Sequence, residues 1–169
     1  DMNLLYESNR ESIVSIAVFD KNGQFIDATP LARLKKTAEP KKEKWFYEAQ
    51  YKIENIHFST PHVQNLFEDI DYKYKWVVSL SRSVELITGG KTETGILLVD
   101  VNFSGIEQIF RNIDLGKSGY IYLMSNTGEI IYHPRQQLIY SNLEQENNIK
   151  AAKYEDGSHI ERFRGEKRL

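Results

Sequence analysis

Two stretches of the chain share one plan, and that repetition constrains the fold more than any other feature. Residues 16–30, "IAVFDKNGQFIDATP", and 121–134, "IYLMSNTGEIIYHP", each run from an apolar strand through a polar turn ending in glycine to an apolar return and a proline. β-Branched and aromatic residues suit a pleated, half-buried surface, and a polar turn with glycine between two such runs marks a hairpin. Proline has no N–H to continue a ladder, so each hairpin stops there. Gly23 and Gly128 lie 105 residues apart, the size of one small α+β module. The segments after the two hairpins are also similar: each is charged and helix-compatible, and leads to further strand signals. The pattern predicts a tandem pair of modules.

Between the hairpins, "LARLKKTAEPKKEKWFYEAQ" is helix-prone around Pro40, and "NIHFSTPHVQNLF" is short and extended. "YKWVVSLSRSVEL" and "GILLVDVNF" are strong strands on either side of a glycine loop, "ITGGKTET". About five strands with helices on one side are expected for this module. "SGIEQIFRNI" predicts a helix capped by Ser104, with Ile106, Ile109, Phe110 and Ile113 on one face. "MNLLYESNRES" predicts a short helix before the first hairpin. The division expected is 1–113 for the first module with its flanking helices and 114–169 for the second. In the second, 164–167 begins another hairpin, and by analogy with the first module one or two strands are missing.

Composition narrows the function classes. A hydrophobic share of 40% with 12% aromatics supports a packed core, and a formal charge of −2 provides no basic field for nucleic acid. The chain has no cysteine, which excludes disulfides, thiolate metal sites and cysteine nucleophiles but leaves the compartment open. No apolar run approaches the roughly 18 residues of a membrane span, and no signal peptide is present. The opening "DMNLLYESNRES" has no start methionine, so the expectation is a soluble piece of a longer protein.

No motif of catalysis is present: neither G-x-S-x-G, nor a P-loop, nor H-E-x-x-H. His133 ends a strand with no second ligand at metal spacing, and reads as a hairpin-end element. His57 and His62 are five apart, which suits neither one helix face nor one strand face. The carboxylates Glu68, Asp69 and Asp71 read as a solvated turn. No metal or cofactor is expected.

A binding pocket is the better expectation. Trp45, Phe46 and Tyr47 offer flat apolar area with N–H and O–H groups to orient a ligand, and they equally suit covering the sheet. Asp100 is the sharper case. Alternation places it with Ile96, Leu98 and Asn102 on one face, opposite Leu97, Val99, Val101 and Phe103. A carboxylate in so apolar a strand needs a partner or a wet cavity. Ser79, Ser81 and Ser83 share a face opposite Trp76, Val78, Leu80, Arg82 and Val84. Their hydroxyls suit a ligand or an exposed face, exposure being preferred.

"WFYEA" at 45–49, "GILLVDVNFSGIEQIF" at 95–110 and "LGKSGYIYLMSNTGEIIYHP" at 115–134 resemble the double Cache family of bacterial extracellular sensors, built from tandem PAS-like modules. The "STPHVQNLF" and "WVVSLSRSV" wording is most similar to sensor histidine kinases of Gram-positive bacteria. The resemblance implies an α+β fold of two PAS-like modules with antiparallel sheets and flanking helices, the second incomplete. It also implies a domain outside the cell membrane, in a receptor forming a homodimer, with a kinase inside acting on a response regulator. The partner implied is a small molecule bound by the membrane-distal module, and the residue chemistry above gives Trp45, Tyr47, Ser79, Ser81 and Asp100 as its expected site. In the amino-acid-binding branch an aspartate matching Asp100 holds the ligand's ammonium, and an arginine two residues before the tryptophan holds its carboxylate. Here that position is Glu43, so a sugar or other polyol fits better than an α-amino acid. The alternatives are the ectodomain of a chemoreceptor or of a cyclic-dinucleotide enzyme, and a module that binds a partner protein.

Overall fold

The computed structural model describes residues 1–52, 56–68 and 76–169; Asp69 and Asp71 lie outside them. Backbone packing divides the chain into two compact units, Asp1–Ile109 and Phe110–Leu169.

The first unit opens with helix α1 (Met2–Ser8), whose N-terminus is capped by the Asp1 carboxylate accepting from the Asn3 and Leu4 N–H groups at 2.9 and 3.4 Å. Strands β1 (Ile13–Asp20) and β2 (Phe25–Thr29) form the first hairpin. Its turn is held by the Asp20 carboxylate, which accepts from the Asn22 and Gln24 N–H groups at 2.7 and 2.8 Å. A 3₁₀ turn at Pro40–Lys42 leads into helix α2 (Lys44–Tyr51), followed by the short strands β3 (His57–Phe58) and β4 (His62–Val63). The long strands β5 (Trp76–Thr88) and β6 (Lys91–Asn102) come next. Only Gly89 and Gly90 connect them, with φ of 58° and 79°. Positive φ at both central residues is what a tight, twist-matched hairpin turn requires, so most of the predicted glycine loop is strand. Helix α3 (Phe103–Arg111) starts one residue before Ser104. The expected Ser104 cap is therefore replaced by Asn102, whose side-chain oxygen accepts from the Ser104 N–H at 3.2 Å and hydroxyl at 2.9 Å.

The sheet is antiparallel, in the order β2-β1-β6-β5-β3, with β4 also on β5. β3 and β4 are two halves of one edge strand, interrupted by residues 59–61. The Ser59 hydroxyl there accepts the Ser79 N–H at 2.9 Å, supplying the acceptor that an unbroken ladder would provide.

Register sets the core in rows. Phe19, Ile96 and Ser83 are opposite one another across β1, β6 and β5, as are Ala17, Leu98 and Ser81, and Ser15, Asp100 and Ser79. All nine side chains are buried, on the face that α2 covers with Trp45, Phe46 and Ala49. Phe19 packs on Trp45 and Phe25 at ring centroid distances of 5.3 and 5.9 Å, and Trp45 on Phe46 at 5.7 Å. Each such large side chain contributes about 1.5–3 kcal/mol by leaving water. The rows thus grade from aromatic at one end to wholly polar at the other.

The second unit contains strands β7 (Leu123–Met124) and β8 (Ile130–Tyr132), helices α4 (Gln136–Tyr140) and α5 (Asn148–Ala151), and strands β9 (Glu161–Phe163) and β10 (Glu166–Arg168). β7 pairs with β8 around Gly128, at φ 86°. β9 pairs with β10 around Arg164 and Gly165, both at positive φ. The sequence suggests one sheet shared by the first of these hairpins and "SHIERF"; among the described residues they form two separate two-stranded sheets. A buried polar cluster holds this unit. His133 comes directly after β8 and is buried, with Nε2 3.3 Å from Glu146 and Nδ1 accepting the Arg135 N–H at 3.0 Å. Glu146 also accepts from the Tyr120 hydroxyl, the Asn147 N–H and the Arg168 guanidinium. Burial pushes the Glu146 carboxyl up, but these donors outweigh it and hold it below its ordinary value.

Candidate ligand-binding site

At the polar end of the rows, Asp100 is wholly inaccessible to solvent. Its carboxylate accepts from side chains: Ser79 Oγ at 2.5 Å, Gln64 Nε2 at 3.0 and 2.9 Å to its two oxygens, and Ser15 Oγ at 3.1 Å. Ser15 and Ser79 reach it because register places them beside it on both neighbouring strands. Burial pushes the Asp100 pKa up, against the downward pull of the Ser79, Gln64 and Ser15 hydrogen bonds and of nearby His62.

His62 joins this network across the break in the edge strand. Its Nδ1 lies 3.0 Å from the Thr60 carbonyl and 3.2 Å from the Ser59 hydroxyl. Its Nε2 lies 3.3 Å from Ser79 Oγ, whose single hydrogen faces Asp100.

Beside this network is a cavity of about 300 Å³ lined by Thr37, Ala38, Glu39, Lys42, Glu43, Trp45, His62, Val63, Gln64, Asn65 and Leu66. Its walls are α2 with the 3₁₀ turn on one side and the β4 segment on the other. Glu39 and Lys42 pair at its rim, at 2.8 Å. Polar donors and acceptors around one aromatic wall suit a small polar molecule.

Two of the five residues that the sequence points to stand at or under this cavity. Trp45 lines it and Asp100 lies beneath it, joined to it through Gln64. Ser79 takes part through its bonds to Asp100 and His62. Ser81 is committed elsewhere: its hydroxyl donates to the Trp45 carbonyl at 2.9 Å and ties α2 to the sheet. Tyr47 is outside the lining, 60% exposed and against Tyr51 at 4.5 Å. Two residues of α-helix are about 200° of rotation, so Trp45 and Tyr47 cannot both face inward. The serine face, expected to be exposed, is instead the core face; Trp76, on the opposite face, is 47% exposed. The composition of β5 suggests the reverse, because small hydroxyls read as polar when here they provide room for α2 to approach.

Gln64 and His62 are the residues that sequence reasoning does not assign. His62 stands out in the sequence only as one of a metal pair, and no group of three metal-binding side chains occurs among the described residues. Nothing local marks Gln64, since its role comes from a contact with a residue 36 positions away. No helix among the described residues is long and apolar enough to cross a membrane.

A family model described as "Cache domain" matches residues 1–169. Among solved structures, the ligand-binding domain of the Pseudomonas fluorescens chemoreceptor CtaA with L-isoleucine is similar at 15% identity and TM-score 0.62, covering 95% of this chain and 62% of that one. The sensory domain of the Campylobacter jejuni chemoreceptor Tlp3 (CcmL) with isoleucine bound is similar at 15% identity and TM-score 0.59, covering 98% and 62%. The Pseudomonas aeruginosa PAO1 amino acid chemoreceptor PctB ligand-binding domain with L-Gln is similar at 19% identity and TM-score 0.57, covering 80% and 52%. These are likenesses of fold, and the chain spans little more than half the length of each. No curated protein matches the chain in sequence.

Proposed function

The chain belongs to the Cache domain family, and on that premise we propose that it is the extracellular ligand-sensing part of a transmembrane receptor of the double Cache type. In this reading the first unit is the membrane-distal module and binds a small polar metabolite, a sugar or similar polyol. The chain itself performs no catalysis. The output is a histidine kinase acting on a response regulator, in a homodimeric receptor.

The observation that carries this reading is the polar cavity between Trp45 and the β4 segment, with the Asp100 network beneath it. A module that recognises only a partner protein has no need of such a cavity. Two features favour a neutral ligand over an amino acid. Glu43 stands two residues before Trp45, where a carboxylate ligand would meet repulsion, and Gln64 already occupies both oxygens of Asp100. A second reading, a chemoreceptor ectodomain, is favoured by the fold likeness to chemoreceptor ligand-binding domains; it shares the cavity and differs only in the output.

A thermal-shift screen of sugars, polyols, amino acids and organic acids tests the proposal. A sugar or polyol should raise the Tm of the wild type, and His62→Ala should weaken that rise. A hit confined to amino acids would overturn the sugar assignment, and no small-molecule hit at all would favour the partner-protein module.

A further inference from the structure

Among the described residues of the second unit, the buried apolar side chains are Ile131 and Tyr132, and its two hairpins share no sheet. So small an apolar core leaves polar contacts to join them. Three consecutive residues supply many of these. Glu146 accepts from the Tyr120 hydroxyl, from the Asn147 N–H at 3.0 Å and from Arg168 on β10 at 3.0 Å. His133 Nδ1 accepts the Arg135 N–H, so the proton of the neutral ring is on Nε2, which faces Glu146 at 3.3 Å. The Asn147 side chain donates to Glu161 on β9, and the Asn148 side chain to the Gly128 carbonyl in the β7–β8 turn at 2.6 Å. Glu161 also accepts from the Tyr154 hydroxyl at 2.7 Å and lies 3.5 Å from Lys150 Nζ. Arg168 donates in addition to the Tyr120 hydroxyl at 3.0 Å.

Arg168 has partners on both sides. Inward is Glu146, whose side chain is 5% exposed. Outward, within its own hairpin, are the Phe163 ring, with its centroid 4.8 Å from the guanidinium carbon, and Glu166 at 3.6 Å, whose side chain is 75% exposed. The Arg168 side chain is itself 27% exposed, so water already reaches it. On its withdrawal Glu146 would keep Tyr120, His133 and the Asn147 N–H as donors, and Arg168 would keep Phe163 and Glu166. Neither charge would be left bare, which is what makes breaking most buried pairs so costly. We propose that Arg168 is a latch: seated on Glu146 and Tyr120 it fixes the β9–β10 hairpin to the rest of the unit, and withdrawn it lets that hairpin swing free about its remaining anchor at Glu161, while the β7–β8 hairpin stays folded. The second unit then has two arrangements separated by one ion pair, which a signal can bias only by its difference in free energy between them. This inference does not depend on the ligand cavity of the first unit.

The test is native-state hydrogen exchange of this chain at neutral pH, comparing the wild type with Arg168→Met, which keeps an unbranched side chain and removes the donors. A two-stranded hairpin is marginal alone, so its amides exchange when it swings free. Amides of 161–163 and 166–168 should exchange about tenfold faster in the variant, the effect of losing one hydrogen bond to a charged group. Those of 123–124 and 130–132 should keep the wild-type rate. Glu146→Gln, which removes the charge on which Arg168 is seated, should speed 161–163 and 166–168 by a similar factor, and the double variant should be no faster there than either single one. Should Arg168→Met fail to fold, Arg168→Lys keeps the charge but not the planar head that serves Glu146 and Tyr120 together, and should show a smaller acceleration confined to the same amides. Equal acceleration of both hairpins in the Arg168 variant would overturn the inference, because the unit would then open as one body. So would unchanged rates at 161–163 and 166–168, or single-variant factors that multiply in the double variant.

Discussion

Replacing Asp100 with asparagine isolates the balance that the structure sets at this site. The carboxylate is wholly buried, and that burial outweighs the donors that favour its charged form, so its pKa is raised above the ordinary 3.8. A raised folded-state pKa means that the folded chain binds this proton more tightly than the unfolded chain. The associated stability is fully present below about pH 3.8 and is lost as pH rises through the folded pKa. Over that window the loss approaches about 1.4 kcal/mol per pH unit for one proton. Asparagine keeps the shape and has no such proton. Its NH₂ can donate to Ser79 Oγ, in place of the bond that Ser79 donates to the carboxylate. The stability of wild type minus that of Asp100→Asn should therefore fall as pH rises from 4 towards 7, and level off once Asp100 is ionised in both states. Urea denaturation of both proteins at each pH, monitored by Trp fluorescence, measures the difference. Groups elsewhere, including Glu146 with its opposite dependence, cancel because both proteins carry them. A difference that stays flat or grows with pH would refute the reasoning, since it would mean that the hydrogen bonds hold Asp100 as an anion with an unraised pKa.

Trp45→Ala should cost about 3–5 kcal/mol of stability, because the ring sits against Phe19 and Phe46 in the core. Tyr47→Ala, on the exposed side of α2, should stay within about 0.5 kcal/mol and leave any ligand-induced Tm shift unchanged, both read by denaturation of the folded variants. In native-state hydrogen exchange, amides of 96–101 should exchange more slowly than those of 120–124, because β6 is bonded on both sides while β7, among the described residues, is paired with β8 alone; equal protection would show that the second unit is as stable as the first.

The legible parts of this fold are those written in local periodicity. Both hairpins, the strong strands β5 and β6 and the inward aspect of Asp100 all come from alternation and turn residues within a few positions, whereas the helix-prone stretch around Pro40 is α-helical only from Lys44. The orientation of β5 is not legible in that way. Its alternation is between hydroxyls and larger residues, and which set faces α2 depends on register with β6. Ser79 beside Asp100 and Ser81 beside Leu98 decide it. The site is half legible for the same reason. An aspartate in an apolar strand announces that it needs partners, and the alternation of β6 says which face they must come from. It does not say that Ser15, Ser79 and Gln64 are those partners, because each belongs to a different element.

The break in the edge strand ties the Asp100 network to the cavity. An unbroken strand on β5 would satisfy Ser79 N–H with a backbone carbonyl and would carry its side chains past Asp100. Ser59 keeps its own N–H on the Ser79 carbonyl while its Oγ takes the Ser79 N–H, His62 turns its Nε2 to Ser79, and the chain re-pairs with β5 for two residues before it leaves to place Gln64. Immediately beyond, the segment is fixed again: the Leu66 carbonyl accepts the Lys35 N–H at 2.8 Å, and the Glu68 N–H donates to the Arg33 carbonyl at 2.9 Å. Gln64 thus sits on a short span held at both ends. A ligand that binds more tightly with the Gln64 amide moved off Asp100 would select the form of the span that allows it, and it can shift that balance only by its difference in affinity for the two forms. The 33–35 segment and β5 are then the first places to feel the change, because the two ends of the span are bonded to them.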